Sequence, residues 1–481
     1  MELRKKSING FFWTFIDVLI NKGSFFFATI VLANVLGPKE FGLLGMIMLF
    51  VSIGNTLVDG GMSTSLIRTN QVTEKEYATV FITNIIMSII VYIILFFLAP
   101  FVSKFYNQPI LVDVIRWYCL GFVINSFRSI HLVKLAKEME FKKITFLNLP
   151  GNIISVIISI WMGYAGYGIW SLVFLFLLNQ FFSTLVIWLF MKWKPGFTFD
   201  FANYKYHFRF GYKLVLSSQI NTIFENIYNV LIGKFYSVNS LGFYERAYTF
   251  NNYPVSILSS IILKVTLPSL THLKNDKKRL QHAYKDIMQI TFFITIIGLG
   301  FASLLAGQII ELVLGEKWLA IVPLFQVLSI SFMFYPIHSL NINILSVFGR
   351  SDLFLRLEIV KKLILLIILS ICFNFGIMGL VWCSVINSVL ALLINTYYSG
   401  KFLNYTAISQ VKDLVPSIGV VLSTILIVYS SQLFVGSTNL AVQIIQSFLI
   451  GLFVIISICE ITKLHPYVQI KQLILVQIKK Y

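Results

Sequence analysis

The sequence predicts an all-α integral membrane protein with about fourteen membrane-spanning helices. Three observations indicate this fold class: the composition is very apolar, long apolar runs recur, and basic residues concentrate in alternate loops. Of the 481 residues, 57% are hydrophobic and 12% are charged, and the mean hydropathy is +0.83. A soluble domain of that composition could not cover its surface with polar groups. We therefore expect the chain to fold in a bilayer.

The individual spans follow from the apolar runs. A helix needs about 20 apolar residues to cross the hydrocarbon core, and runs of that length are separated by charged residues, Gly or Pro. Transmembrane β-strands would instead alternate over about ten residues. The predicted spans are residues 10–35, 41–60, 79–103, 112–133, 146–165, 167–191, 211–233, 243–270, 288–314, 320–346, 358–376, 379–400, 413–435 and 440–461.

The net charge of +18 is explained by membrane topology. If the N-terminus lies inside, most of the 38 basic residues fall in segments on the cytoplasmic side. Cytoplasmic loops of membrane proteins are enriched in Lys and Arg. An even number of spans then leaves both termini in the cytoplasm. This pattern favours contact with membrane lipids and predicts no nucleic-acid partner.

Nothing in the sequence points to an enzyme. The segments between spans are shorter than the roughly 40 residues that a soluble domain needs, and neither a phosphate-binding P-loop nor an HExxH motif occurs. The cysteines lie inside apolar runs without ligand spacing, so we predict buried thiols. We expect no catalytic residues, no metal and no cofactor. The cysteines are Cys119, Cys372, Cys383 and Cys459.

Two similar stretches, 200 residues apart, indicate an internal repeat. Phe41-Gly42-Leu43 aligns with Leu241-Gly242-Phe243. An even number of spans separates them, so both copies have the same orientation and the repeats are parallel. The predicted domains are an N-terminal six-helix lobe at 1–209, a second at 210–404, and two additional helices with a tail at 405–481.

The first copy of the repeat interrupts the chain with "LGPKEFGLLG". We expect Gly37 to adopt the left-handed conformation of a helix C-cap, because glycine has no Cβ to oppose it. Pro38 cannot continue the preceding helix, since it lacks a backbone N–H. The first span should therefore end immediately before Pro38.

Polar residues inside the spans are the candidates for function. A charge at the bilayer centre costs about 2.5–3.5 kcal/mol on insertion scales. Asp17 and Asn21 lie on a polar stripe of the first span, and Glu225 and Asn229 lie on a similar stripe of the seventh. Each stripe either lines a cavity or packs against a neighbouring helix. The two carboxylates either carry a proton or cation, or form structural hydrogen bonds.

Four basic residues are candidates for binding an anionic group, because an Arg fork binds phosphate oxygens bidentately. Arg128 is the first candidate, and the alternative is that its side chain extends to the inner membrane interface. The others are Lys22, Arg246 and Lys264. For Lys264, contact with lipid headgroups is a sufficient explanation.

Three stretches resemble a known family. Leu36–Arg68 resembles the first external loop and second helix of the polysaccharide-unit (O-antigen and exopolysaccharide) flippases. These flippases belong to the multidrug/oligosaccharidyl-lipid/polysaccharide (MOP) exporter superfamily. Lys134–Lys143 resembles the basic segment after their fourth helix, and Asn229–Tyr248 resembles their seventh-to-eighth helix turn. The resemblance extends over essentially the whole chain and implies two six-helix lobes around a central cavity, followed by two C-terminal helices.

The resemblance implies a transporter of the bacterial cytoplasmic (inner) membrane. Its cargo would be an undecaprenyl-diphosphate-linked oligosaccharide for lipopolysaccharide, exopolysaccharide or capsule biosynthesis, moved to the outer leaflet by alternating access. Proton or sodium coupling and partner proteins of polymerisation and export are also implied. The alternatives are an exporter of drugs or another lipid-linked cargo, or a membrane-embedded polysaccharide polymerase. Short external loops such as Tyr164–Gly168 argue against the polymerase.

Overall fold

A computed structural model describes residues 2–434 and 439–478 of the chain, and all regular elements among them are helices. The prediction of an all-α fold is confirmed. The chain forms two compact units, Met1–Glu245 and Arg246–Tyr481.

Long helices joined by short turns make up the first unit. Two of them begin at a side chain that accepts a hydrogen bond from the first turn: Thr73 accepts from the N–H of Glu76 at 3.2 Å, and Asp200 accepts from the N–H of Ala202 at 2.7 Å. The helices are α1 (Glu2–Val35), α2 (Pro38–Asp59), α3 (Met62–Arg68), α4 (Glu74–Tyr106), α5 (Leu111–Lys137), α6 (Phe141–Tyr164), α7 (Ile169–Phe190), α8 (Phe201–Glu225) and α9 (Ile227–Phe235).

The second unit also consists of helices joined by short turns. Its first helix begins in the first unit and crosses the boundary. The helices are α10 (Val238–His272), α11 (Lys277–Leu304), α12 (Ala306–Leu314), α13 (Ile321–Met333), α14 (Tyr335–Val347), α15 (Ser351–Cys372), α16 (Gly376–Leu403), α17 (Ala407–Phe434), α18 (Leu440–Thr462) and α19 (His465–Ile478).

The protein is a multi-pass membrane protein. In the described part of the chain, 11 helical stretches are long and apolar enough to cross a membrane, and one of them, residues 352–403, contains both α15 and α16. The predicted spans at 211–233 and 243–270 are not among these stretches. Both segments are nevertheless helical, in α8 with α9 and in α10.

Three predicted spans are interrupted in the structure. The seventh breaks at Asn226, whose side-chain amide donates to the carbonyl oxygen of Thr222 at 2.9 Å. The ninth breaks at Leu305, and the tenth breaks at Phe334. The last interruption has a direct cause, because Pro336 follows it and cannot donate a backbone N–H to the preceding turn.

The prediction for Gly37 was wrong. Gly37 is extended, with φ −100° and ψ 179°, and it is the N-cap of α2 rather than a left-handed C-cap of α1. Its N–H donates to Glu40 Oε2 at 3.0 Å, and Pro38 occupies the first turn. The second copy of the repeat begins its helix similarly: Ser237 Oγ accepts from the N–H of Ser240 at 3.0 Å.

Within the first unit, α1 packs against α6, α4 against α5, and α7 against both α5 and α6. Close packing and interhelical hydrogen bonds drive such contacts in a membrane, because lipid is as apolar as the helix surface. The second unit has a core around Tyr284, Phe292 and Leu340. All four cysteines of the chain are buried, as predicted.

Candidate functional site

Arg128 is the centre of a polar network inside the first unit. Its guanidinium donates three hydrogen bonds to amide oxygens: Nε to Asn125 Oδ1 at 2.9 Å, NH1 to Asn148 Oδ1 at 3.3 Å and NH2 to Gln180 Oε1 at 2.9 Å. These acceptors lie on α5, α6 and α7. The planar fork of Arg is suited to acceptors arranged in this way. Three helices therefore fix the orientation of one cation.

Asp17 brings a carboxylate from α1 into the same network. It lies beside the side chains of Asn21, Thr145 and Asn148, within the electrostatic influence of Arg128. Its Oδ1 atom is buried and accepts no hydrogen bond from the described residues. The network thus contains one cation, one anion and an unused acceptor.

A chain of amides extends the network to α7. Asn152 Nδ2 donates to Asn21 Oδ1, and Asn179 Nδ2 donates to Asn152 Oδ1 at 2.6 Å. Asn152 is buried, and the other two amides are partly exposed. The polar stripe of the first span therefore contacts α6, and its two central residues, Asp17 and Asn21, are joined to Arg128 through neutral amides.

Glu225 and Asn229 do not share one continuous helix, because Asn226 separates α8 from α9. Asn229 is 8% exposed, and its side-chain amide donates to Glu245 Oε1. Glu245 lies in the first turns of α10, and its side chain covers Gly45 of α2. The structure thus pairs Asn229 with a carboxylate that the sequence did not single out.

The hydrogen bonds described around Arg128 do not include the other predicted basic residues. Lys22 is exposed on α1. Arg246 is buried on α10, at the start of the second unit. The side chain of Lys264 lies outside the described residues.

The network is chemically suited to an anion and to a proton or small cation. Arg128 makes three hydrogen bonds and retains N–H donors, because a guanidinium has more donors than these bonds use. Asp17 Oδ1 is an acceptor that a proton or a hard cation could use. In the described part of the chain, no group of three or more His, Cys, Asp or Glu side chains could hold a metal ion.

The residues that hold Arg128 and Asn21 were not predicted from the sequence. Asn148 and Asn152 are four residues apart on α6 and so lie on one helix face, while Asn179 and Gln180 are adjacent on α7. The available signal was the presence of side-chain amides in otherwise apolar spans. Such groups need hydrogen-bond partners inside a membrane, so each indicates a neighbour on another helix.

Comparisons with known proteins agree with this architecture. Residues 31–323 match the family model described as polysaccharide biosynthesis protein. The chain is 24% identical over 363 residues to the lipopolysaccharide biosynthesis protein WzxC of Escherichia coli (strain K12), covering 75% of this chain and 74% of that protein. It is 27% identical over 305 residues to the teichuronic acid biosynthesis protein TuaB of Bacillus subtilis (strain 168), covering 62% of each.

The fold is similar to that of a solved transporter. The lipid II flippase MurJ, in an inward closed conformation, superposes with a TM-score of 0.75 at 18% sequence identity. The match covers 95% of this chain and 98% of that one. This likeness extends beyond the residues matched by the family model and supports about fourteen spans.

Proposed function

Since the chain belongs to the polysaccharide biosynthesis protein family, we propose that it is a flippase for a lipid-linked oligosaccharide. Its cargo is an undecaprenyl-diphosphate-linked repeat unit, which it moves from the cytoplasmic to the outer leaflet. Two relatives are named for the biosynthesis of surface polysaccharides, and the similar solved structure is named as a lipid II flippase. The proposed role is transport rather than catalysis.

The hydrogen bonding of Arg128 is the structural observation that best supports this cargo. A guanidinium inside a membrane protein is costly and needs a polar partner. Here three amide oxygens orient it without neutralising it. Its remaining N–H donors can bind a phosphate oxygen of the diphosphate. We assign Lys22, Arg246 and Lys264 as further basic residues along the path of the cargo.

We assign the coupling of transport to an ion gradient to the two intramembrane carboxylates. Asp17 and Glu225 bind a proton or sodium ion, and Asn21 and Asn229 supply neutral hydrogen-bonding groups next to them. Asp17 lies within the electrostatic influence of Arg128. Protonation removes the negative charge of the Asp17 carboxylate, so the net charge around the bound diphosphate becomes more positive. Binding of the coupling ion and of the cargo would then favour each other.

The transport cycle follows from the repeat. The lobes at 1–209 and 210–404 pivot about a shared central cavity, while residues 405–481 add two membrane-spanning helices and a cytoplasmic tail. The protein resides in the bacterial cytoplasmic membrane with both termini inside. Polymerase and export proteins of the same glycan pathway receive the cargo on the outer side.

Deletion of the gene tests this function in cells. We expect lipid-linked repeat units to accumulate on the cytoplasmic face and the surface glycan to disappear, and a plasmid copy should restore both. Protease-free spheroplasts and inverted vesicles, probed with a glycan-specific lectin, distinguish the two faces. Persisting surface glycan together with new sensitivity to cationic dyes would instead support the drug exporter.

A further inference from the structure

A basic pocket opens between α3 and the first half of α8, within the first unit. It has a volume of about 920 Å³. Four of its lining residues are cations, and no acidic residue lines it. Arg68 comes from α3, while Lys205, Arg209 and Lys213 come from α8. All four side chains are exposed. The pocket shares no lining residue with the network around Arg128.

The cations face one another across this pocket. Lys205, Arg209 and Lys213 are spaced four residues apart, so they form a row on one face of α8. Like charges at this spacing repel each other. Arg68 lies on the opposite wall, with its guanidinium carbon 4.9 Å from the centroid of the Phe210 ring. An anion in the pocket would relieve the repulsion along the row.

Two buried contacts fix α8 against α3. Gly60 and Gly61, with φ of 59° and 69°, make the turn between α2 and α3. Gly211 lies directly against this turn, since a Cβ on it would be 2.1 Å from the carbonyl oxygen of Gly60. The hydroxyl of Ser65 is 2.8 Å from His207 Nδ1, and both residues are buried. The cation row is therefore held in a defined position.

Two acidic residues near this end of the unit, Glu74 and Glu76, are engaged with other partners. Glu74 pairs with Lys134 at 2.8 Å and accepts from Trp193 at 2.7 Å. Glu76 accepts from the N–H of Thr73 at 2.7 Å and lies 3.4 Å from His207. Among the described residues, no salt bridge involves any of the four pocket cations.

We propose that this pocket binds the diphosphate of the lipid-linked cargo before the cargo reaches Arg128. The inference rests on the proposed function and places a first contact at the membrane face that carries the basic segments. Two Arg forks and two ammonium groups suit the two or so negative charges of a diphosphate better than the single charge of a phosphodiester. An anionic phospholipid shares part of this chemistry, so the test must distinguish the two.

Protection of a cysteine in the pocket measures occupancy at this site and not at Arg128. The full-length protein with Asn70→Cys is placed in phosphatidylcholine nanodiscs and alkylated with a maleimide. Asn70 is exposed and lines the pocket. We expect undecaprenyl diphosphate to slow alkylation about tenfold, because charge-assisted contacts hold the headgroup over the thiol. Phosphatidylglycerol at the same mole fraction should slow it much less.

Two matched controls accompany this measurement. The substitutions Lys205→Gln, Arg209→Gln and Lys213→Gln, combined with Asn70→Cys, should abolish protection. The same charge change at Lys277, Lys278 and Arg279, all exposed at the start of α11, should leave protection intact. Because all six side chains are exposed, both variants should fold, and an unchanged melting temperature verifies this.

Several results would overturn the inference. These are no protection of Asn70→Cys, equal protection by phosphatidylglycerol, or equal loss of protection in both charge-matched variants. Transport by the unmodified protein is measured separately in vesicles. If that protein moves the cargo while the pocket gives no protection, the pocket assignment fails and the proposed function stands. If it moves no cargo, the proposed function itself fails.

Discussion

Gly42 and Gly242 bring the backbones of α2 and α10 into direct contact within the first unit. A Cβ on Gly42 would lie 1.9 Å from the carbonyl oxygen of Val238, and one on Gly242 would lie 1.8 Å from that of Pro38. Pro38 and Val238 are the first residues of the two helices. Residues 200 positions apart thus exchange equivalent contacts, which is the pattern of a two-fold interface.

This contact predicts that neither glycine can be enlarged. Gly42→Ala or Gly242→Ala forces two backbones apart and should cost about 1–3 kcal/mol of stability. The thermal unfolding midpoint of the purified protein in detergent should fall by several degrees. Gly23→Ala on α1 is the matched control, because no described residue outside its own helical turns lies within 4 Å of the added Cβ. Equal midpoints for Gly42→Ala and Gly23→Ala would contradict the close contact.

Because the guanidinium donors of Arg128 lie in one plane, we expect Lys and Ala at this position to reduce glycan export to different extents. Arg128→Lys keeps the charge, but an ammonium cannot serve three amide oxygens on three helices in the same geometry. We expect partial surface glycan in a deletion strain that carries this variant and none with Arg128→Ala. Immunoblots of the membrane fraction show whether protein levels match. Arg279→Lys, at an exposed position, should export normally. Full export by Arg128→Ala would remove Arg128 from the path.

Neutralising the acidic residues should separate coupling from binding. Asp17→Asn and Glu225→Gln preserve size and delete the titratable charge, so cargo can still bind while turnover falls. We expect at least one variant to lose export in cells and retain binding of the lipid-linked oligosaccharide after purification. Transport by both variants at the unmodified rate from pH 6 to 8 would show that these carboxylates are structural.

The orientation of the chain predicts which positions an external reagent can reach. Single cysteines at Lys39 and Lys317 should react with an impermeant maleimide added to intact cells. Cysteines at Lys75, Lys205 and Lys277 should react only after the membrane is opened. All five positions are exposed, so burial does not explain a lack of reaction. Labelling of Lys277→Cys in intact cells would reverse the assigned sides.

Much of the fold follows from the sequence because the bilayer makes helix formation nearly obligatory for apolar runs. The interruptions are harder to foresee. Pro336 explains the break at Phe334, whereas Leu305 has no local signal. Gly37 shows the limit of local rules: a glycine before a proline is compatible with a C-cap or an N-cap. The hydrogen bond from its N–H to Glu40 selects the second.

The candidate site was only partly predictable. Arg128, Asp17 and Asn21 stand out as polar groups in apolar spans, and the structure joins them. Their partners Asn148 and Gln180 could not be assigned, since spacing along the chain relates residues on one helix and not on different helices. That three helices place amide oxygens around one guanidinium is a property of tertiary packing.

Transport in a reconstituted system shows whether the protein itself moves the lipid-linked oligosaccharide through a path that contains Arg128. The purified full-length protein is placed in liposomes with a radiolabelled undecaprenyl-diphosphate-linked oligosaccharide, and a soluble glycosidase reports the fraction exposed outside. We expect the unmodified protein to make the inner pool accessible within minutes, whereas an equal amount of Arg128→Ala protein should leave it inaccessible. Equal exposure with the unmodified protein, the Arg128→Ala protein and protein-free liposomes would contradict it.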